Sequence, residues 1–179
     1  MSNATQTDRI VERAVGTLEF SRGFLMGLIE DMSPEQMRHA PPGARNHALW
    51  VLGHMASADV FFLASLGVSM PELPEGWHEQ FGGDSMPTAD GDYPSDDEVV
   101  RIATTTREAL LNWWKGLSDA DLDTPLPQDL QMFAATYAQL PFSTAWHEAF
   151  HTGQIAVNRQ SLGLPRLIDR MKESAASQD

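Results

Sequence analysis

The chain contains no cysteine. That excludes a disulfide framework, a thiolate metal site and a thiol nucleophile of its own. Basic residues are scarce as well: twelve Lys and Arg stand against twenty-five Asp and Glu, for a formal charge of −13. Phosphate backbones and anionic lipid surfaces are bound through clustered Lys and Arg. No such cluster is present, so neither nucleic acid nor a membrane is the expected partner. A long uninterrupted hydrophobic run is missing too. The most apolar stretch, Ala48 to Val68, is broken by His54 and Asp59, which argues against a membrane span. The opening residues Met1 to Arg9 are polar and lack the basic patch and apolar run of a secretory signal. The expectation is a cytoplasmic protein.

Strand-like alternation is also absent, and helical periodicity takes its place. With 179 residues and no linker-like or low-complexity tract, a single domain over residues 1–179 is expected. The first helix is expected from about Thr5 to Met32, with Val11, Ala14, Val15, Leu18, Leu25, Leu28 and Met32 on one stripe. Ser33-Pro34-Glu35-Gln36 reads as a capping box opening a short helix. Asn46 is the expected cap of a second helix, His47 to about Leu66, ended by Gly67. Ser95 opens a third, with Val99, Ala103, Thr106, Leu110, Trp113 and Leu117 facing inward. Pro141 opens a fourth, stopped at Gly163 and Pro165 after Leu162. Residues 128–140 are ambiguous, and the tail ending in Asp179 is expected to fray. Between the second and third helices, Val68 to Pro94 is rich in Pro and Gly. A connection of that length is either a surface crossover or a lid over a site. Four long amphipathic helices with one long crossover predict an all-α four-helix bundle, a fold whose core readily houses metal sites.

The most informative local feature is His147-Glu148-Ala149-Phe150-His151. Two histidines four residues apart share a helix face, about 6 Å apart along the axis. Two imidazoles so placed can close on one divalent ion and leave a position open. Of the six histidines, His54 is the best third ligand, because it sits mid-helix among apolar residues and its ring nitrogens need a partner. A metal ion would be one such partner, and a hydrogen bond within the core would be another. His47 stands too far along the same helix to join His54 and reads as a surface or helix-start residue. His39 and His78 read as solvated loop residues. Trp50, four residues before His54, is expected to pack on it. Gln154 could bond a water, a substrate or a neighbouring side chain. Glu148 reads more readily as a solvated carboxylate than as a partner of the site, and Asp59 points away from His54's face.

Trp50-Val51-Leu52-Gly53-His54 together with His147-Glu148-Ala149-Phe150-His151-Thr152-Gly153-Gln154 resembles the DinB/YfiT-like superfamily. The resemblance covers nearly the whole chain in helix order and is specific at these two motifs. It implies a DinB-like four-helix bundle, a metal site of His54, His147 and His151, and a homodimer. It also implies a metal-dependent enzyme on a small molecule, because characterised members include S-transferases that use bacillithiol and isomerases that use mycothiol. Three neutral nitrogen ligands favour a Lewis-acid zinc or nickel ion acting in transfer or hydrolysis. With no cysteine in the chain, any sulfur nucleophile would arrive as a low-molecular-weight thiol cosubstrate.

Two other functions fit the same residues. The pentapeptide formally matches the zincin metalloprotease motif, with Glu148 as general base. The chain lacks the metzincin extension, however, and has no strand to bind a peptide. Alternatively the bundle is a non-catalytic metal-binding or ligand-binding module. A structural ion would then need a fourth protein ligand, for instance His78 or Asp90 from the crossover.

Overall fold

The computed structural model describes residues 6–177, and among these there is no strand, only an isolated bridge between Pro125 and Thr136. Four long helices make the bundle: α1 (Gln6–Ile29), α3 (Ala48–Ser65), α5 (Asp96–Lys115) and α7 (Leu140–Ser161). Between and after them come α2 (Pro34–Met37), α4 (Trp77–Phe81), α6 (Asp119–Leu122) and α8 (Leu167–Ala176), with two 3₁₀ turns at Gln128–Leu130 and Tyr137–Gln139. The fold is all-α and a four-helix bundle, as the periodicity predicts. The expected helix start at Thr5 and the last tail residues, Gln178 and Asp179, lie outside the described residues. α1 packs against α7 and α5, and α3 packs against α5 and α7. The first two long helices are therefore diagonal to one another.

The stripe on α1 faces inward as expected, with Ala14, Val15, Leu18, Leu25 and Leu28 buried. On α5 the stripe is shifted at its end: Trp114 is buried, whereas Trp113 is half-buried and packs edge-on to Trp114 and Tyr137. By length and composition alone α3 could cross a membrane, but most of it is buried inside the bundle. Asn46 does not cap it. The cap is His47, whose Nδ1 accepts the Trp50 amide at 3.1 Å. His47 is thus a helix-start residue, but a buried one, its ring also bonding the Tyr93 hydroxyl at 3.3 Å. Ser33 and Gln36 form the capping box expected of them. Gly67 and Gly163 both take φ 69°, a left-handed value that favours glycine and ends α3 and α7 where the sequence places the stops.

The tail departs from expectation. Instead of fraying after Pro165, the chain forms α8, which docks back on α1. Leu167 is buried against Gly27. Arg170 bonds Asp31 at 3.0 Å and Glu30 at 2.9 Å, and Arg159 of α7 pairs with the same Asp31. One apolar anchor and two arginines hold a segment whose composition alone looks solvated.

The core has two apolar sections separated by a charged layer. One section gathers Leu25, Leu49, Trp50, Leu52, Trp77, Phe81, Val99 and Ile155. The other gathers Leu18, Phe62, Leu63, Leu110, Trp114 and Leu140. Along each long helix the residue between the two sections is charged: Arg22 on α1, Asp59 on α3, Arg107 on α5 and Glu148 on α7.

Candidate metal centre

α3 and α7 bring His54, His147 and His151 together. One ligating nitrogen from each ring can be chosen so that all three lie within 4.8 Å of one another. The Nε2 atoms of His147 and His151 are 3.1 Å apart. The His54 ring centre lies 5.3 Å from that of His147 and 4.9 Å from that of His151. Tetrahedral zinc with Zn–N bonds of about 2.0–2.1 Å needs nitrogens about 3.3 Å apart, so closing the three onto one ion takes movements of about 1 Å.

The other ring nitrogens explain which atoms point inward. His54 Nδ1 donates to the Phe81 carbonyl at 3.0 Å, and His151 Nδ1 donates to Gln154 Oε1 at 2.9 Å. Each bond places the proton on Nδ1 and leaves the Nε2 lone pair free, the usual way a ligating imidazole is oriented. Gln154 is in turn held by Asn46 Nδ2 at 3.0 Å, and the Asn46 carbonyl accepts from Asn158 at 2.9 Å. Gln154 therefore bonds a neighbour, and that neighbour is one of the three imidazoles. Trp50 packs as expected: its ring stacks on His54 with centres 4.6 Å apart and planes 8° apart. Its Nε1 donates to Ser85 Oγ at 2.7 Å.

The crossover is thus part of the site. α4 and the turn after it supply the Phe81 carbonyl and Ser85, and Gly83 lies against the His54 ring. Gly53 lets this happen, because a Cβ there would fall 2.2 Å from the Phe81 ring.

The three imidazoles are poor bases. Burial pushes His147 down to about 4, helped by His151, His54 and Arg107. Burial also pushes His151 down to about 4 against the bond from Gln154, and lowers His54 against the bond from Phe81. All three are neutral at neutral pH, the form that offers a lone pair to a cation. No fourth His, Asp, Glu or Cys joins the group among the described residues. His78 is exposed on α4 and Asp90 is exposed in the crossover; neither belongs to it. His39 does not stand free: its Nε2 meets Ser161 Oγ at 2.8 Å.

Glu148 is a correction to the sequence reading. It is fully buried, with Oε2 accepting from Arg107 at 3.2 Å and Oε1 lying 2.7 Å from Arg22 Nε without hydrogen-bond alignment. A zincin base must face the open metal position, and this carboxylate is committed to the core. Asp59 is also fully buried and takes a two-pronged bond from Arg107, 3.0 Å on each arm. Sequence reasoning missed Arg107, Arg22 and Ser85, and gave Asn46 a capping role in place of its bond to Gln154. One signal for the first two was available: a carboxylate in a helix as apolar as α3 requires a buried cation.

The sequence matches the DinB superfamily over residues 17–155. The chain belongs to the DinB superfamily. Among solved structures, YfiT from Bacillus subtilis superposes with a TM-score of 0.61 at 14% identity, covering 92% of this chain and 93% of that one. That protein is described as a probable metal-dependent hydrolase with an unusual four-helix bundle topology. At this identity the likeness concerns the fold. No curated protein sequence matches the chain significantly.

Proposed function

We propose that His54, His147 and His151 hold one divalent metal ion, zinc or nickel, and that this DinB-superfamily protein is a metal-dependent enzyme acting on a small molecule by hydrolysis or group transfer. The observation that carries the reading is the convergence of three neutral imidazoles, two of them with Nδ1 engaged so that Nε2 faces the cluster. The donor set fits a borderline cation and has no carboxylate to offset its charge. The description of YfiT as a probable metal-dependent hydrolase agrees with this reading.

A metal held there supplies Lewis acidity toward a carbonyl or phosphoryl oxygen and toward an incoming nucleophile. The chain's own residues do the rest. Phe81 and Gln154 fix the tautomers of His54 and His151. Trp50 covers one face of His54 and excludes water from it. The segment around Gly83 and Ser85 forms the rim, so a substrate would sit between the bundle mouth and the 68–94 crossover. With no thiol in the chain and Glu148 spent on arginines, a nucleophile from solution, water or a low-molecular-weight thiol, fits this site.

The partner of the folded chain is a second copy of itself. α1 and α7 share an apolar face on which Phe20 (73% exposed), Phe24 (37%), Phe142 (51%) and Trp146 (70%) surround the small residues Ala145 and Ala149, with Phe150 (56%) stacked beside Trp146 at its edge. With about 150–250 Å² per aromatic side chain, these five rings expose about 400–700 Å². One side of a standard interface needs about 800 Å². No charged side chain lines this groove, so two copies meet there without juxtaposing their acidic surfaces.

The test of the metal reading is elemental analysis of protein purified without added metal. Wild type should carry about one zinc or nickel per chain, and His54→Ala and His151→Ala should carry little. Unchanged stoichiometric metal in His54→Ala would sink the assignment. A panel of small amides, esters and thiol acceptors, assayed with and without added thiol, then separates hydrolysis from transfer.

A further inference from the structure

We propose that the buried layer of Asp59, Arg107, Glu148 and Arg22 is a positioning device that fixes the rotation of α7 against α3, so that His147 and His151 meet His54. This rests on the metal reading above but concerns different residues.

The connectivity motivates it. α3 carries His54 and, five residues on, Asp59. α7 carries Glu148 between its two histidines. The two ligand-bearing helices are thus the two that carry the buried carboxylates. Both arginines come from the other two helices, and each reaches both carboxylates. Arg107 of α5 grips Asp59 with Nε and Nη2, each at 3.0 Å, and reaches Glu148 Oε2 with Nη1 at 3.2 Å. Arg22 of α1 lies 2.7 Å from Glu148 Oε1 and 3.4 Å from Asp59 Oδ2, and its Nη1 donates to the Ala103 carbonyl at 3.1 Å. A planar guanidinium with donors in a fixed fork holds a carboxylate at a set distance and angle, which a lysine does not. The layer is charge-neutral, with two of each sign. Apolar residues of similar size would serve stability at least as well, so stability alone does not account for four charges at this level of the core.

The geometry gives the sensitivity. On a helix with 100° per residue, Glu148 stands about 80° from the mean direction of His147 and His151. Turning α7 enough to free Glu148 turns both imidazoles away from α3. A side-chain atom about 5–6 Å from the helix axis moves about 2 Å for a 20° rotation. Metal–nitrogen distances tolerate only about 0.2 Å. Apolar burial is non-directional and does not by itself pin that rotation. The arginine forks remove that freedom.

Cobalt(II) tests this, because its visible absorption reports coordination geometry. Two variants are compared with wild type: Glu148→Gln, which keeps the shape, and the double variant Asp59→Asn/Arg107→Met. The double variant removes one charge of each sign and leaves the Arg22–Glu148 pair in place. Helicity and the denaturation midpoint establish how much of each variant is folded. The expected result is a cobalt(II) dissociation constant raised about 10–100-fold with displaced absorption bands in the folded variants. If the layer serves stability only, the midpoint falls while the affinity of the folded fraction stays within about twofold and the spectrum is unchanged, and the inference is overturned. A wild type that binds no cobalt(II) would instead overturn the metal reading, and this inference with it.

Discussion

Gly53 sits in the middle of α3, where glycine is the poorest helix former after proline. Replacing it with alanine should stabilise an exposed helix by about 0.8–1.0 kcal/mol. Here the sign reverses. A Cβ on residue 53 lies 2.2, 2.4 and 2.6 Å from three atoms of the Phe81 ring. Carbon atoms in contact stand about 3.5–4.0 Å apart, so the ring must retreat by more than about 1 Å. It has nowhere to go: Phe81 is fully buried, Trp77 lies 4.5 Å away ring to ring, and Tyr93 lies 5.4 Å away. Overpacking of this kind costs about 1–3 kcal/mol. Three simultaneous clashes put Gly53→Ala toward the upper end, for a net loss of about 1–2 kcal/mol after the propensity gain. For a domain of this size that lowers the melting temperature by about 2–8 °C.

Gly16 on α1 is the matched control. It is exposed, and no atom stands within 4 Å of its added Cβ, so Gly16→Ala should raise the melting temperature by about 2–4 °C. The pair is measured by urea and thermal denaturation at fixed metal content. Gly53→Ala has a second consequence. Phe81 supplies the carbonyl that orients His54, so displacing it should weaken metal binding as well as stability. A Gly53→Ala protein as stable as wild type, or more so, would refute the close approach of α4 to α3 and the account of how His54 is held.

Two further results are expected. The buried ring of His47 is pushed down to about 4, chiefly by burial and further by Arg38, against raising contacts that include Asp96. Its folded value is below the unfolded value of about 6.5, so its contribution is complete above pH 6.5 and is lost as pH falls toward 4. The loss, as the cap on Trp50 breaks, is of the order of 0.5–2 kcal/mol. His47→Asn, a cap that does not titrate, should flatten the dependence of the urea midpoint on pH between 7 and 4.5, and parallel curves for the two proteins would exclude this role. Separately, sedimentation should show a dimer for wild type and a monomer for Phe20→Glu/Trp146→Glu, because two carboxylates per copy would be buried unpaired in the contact. A wild-type monomer, or a variant that stays dimeric, would move the interface elsewhere or assign the aromatic face to another partner.

Much of this molecule is legible in the sequence because its signals are local. Helix spans follow from periodicity and from stops such as Gly67 and Gly163, and the His147/His151 pair follows from the helical turn. The His54 partnership is not local. It depends on α3 and α7 being neighbours, which the family motif supplied and composition did not. The failures share a cause. Glu148 looked solvated because its two arginines lie 41 and 126 positions earlier in the chain. The tail looked frayed because its anchors, Gly27 on α1 and Asp31 in the turn after it, lie far back in the chain. His47 displaced Asn46 as cap because an imidazole Nδ1 can accept an amide, a choice decided by burial against Tyr93 rather than by propensity.

α3 shows why these failures and the site belong together. It is the most apolar of the long helices, and its two conspicuously polar core residues, His54 and Asp59, each oblige other elements to answer. Asp59 draws Arg107 and Arg22 into the core, and those arginines in turn take up Glu148. His54 gives its Nδ1 proton to the crossover, which leaves Nε2 facing the two histidines of α7. A polar group in an apolar helix is tolerated only when it is paired, so each of the two specifies what must be brought beside it. Asp59 specifies charge and fixes α7 in rotation; His54 specifies a lone-pair site and fixes the crossover over the bundle mouth. Together they place three neutral imidazoles at one point and commit the nearby carboxylates elsewhere. That arrangement suits a cation whose charge is to act on a substrate rather than be neutralised by the protein.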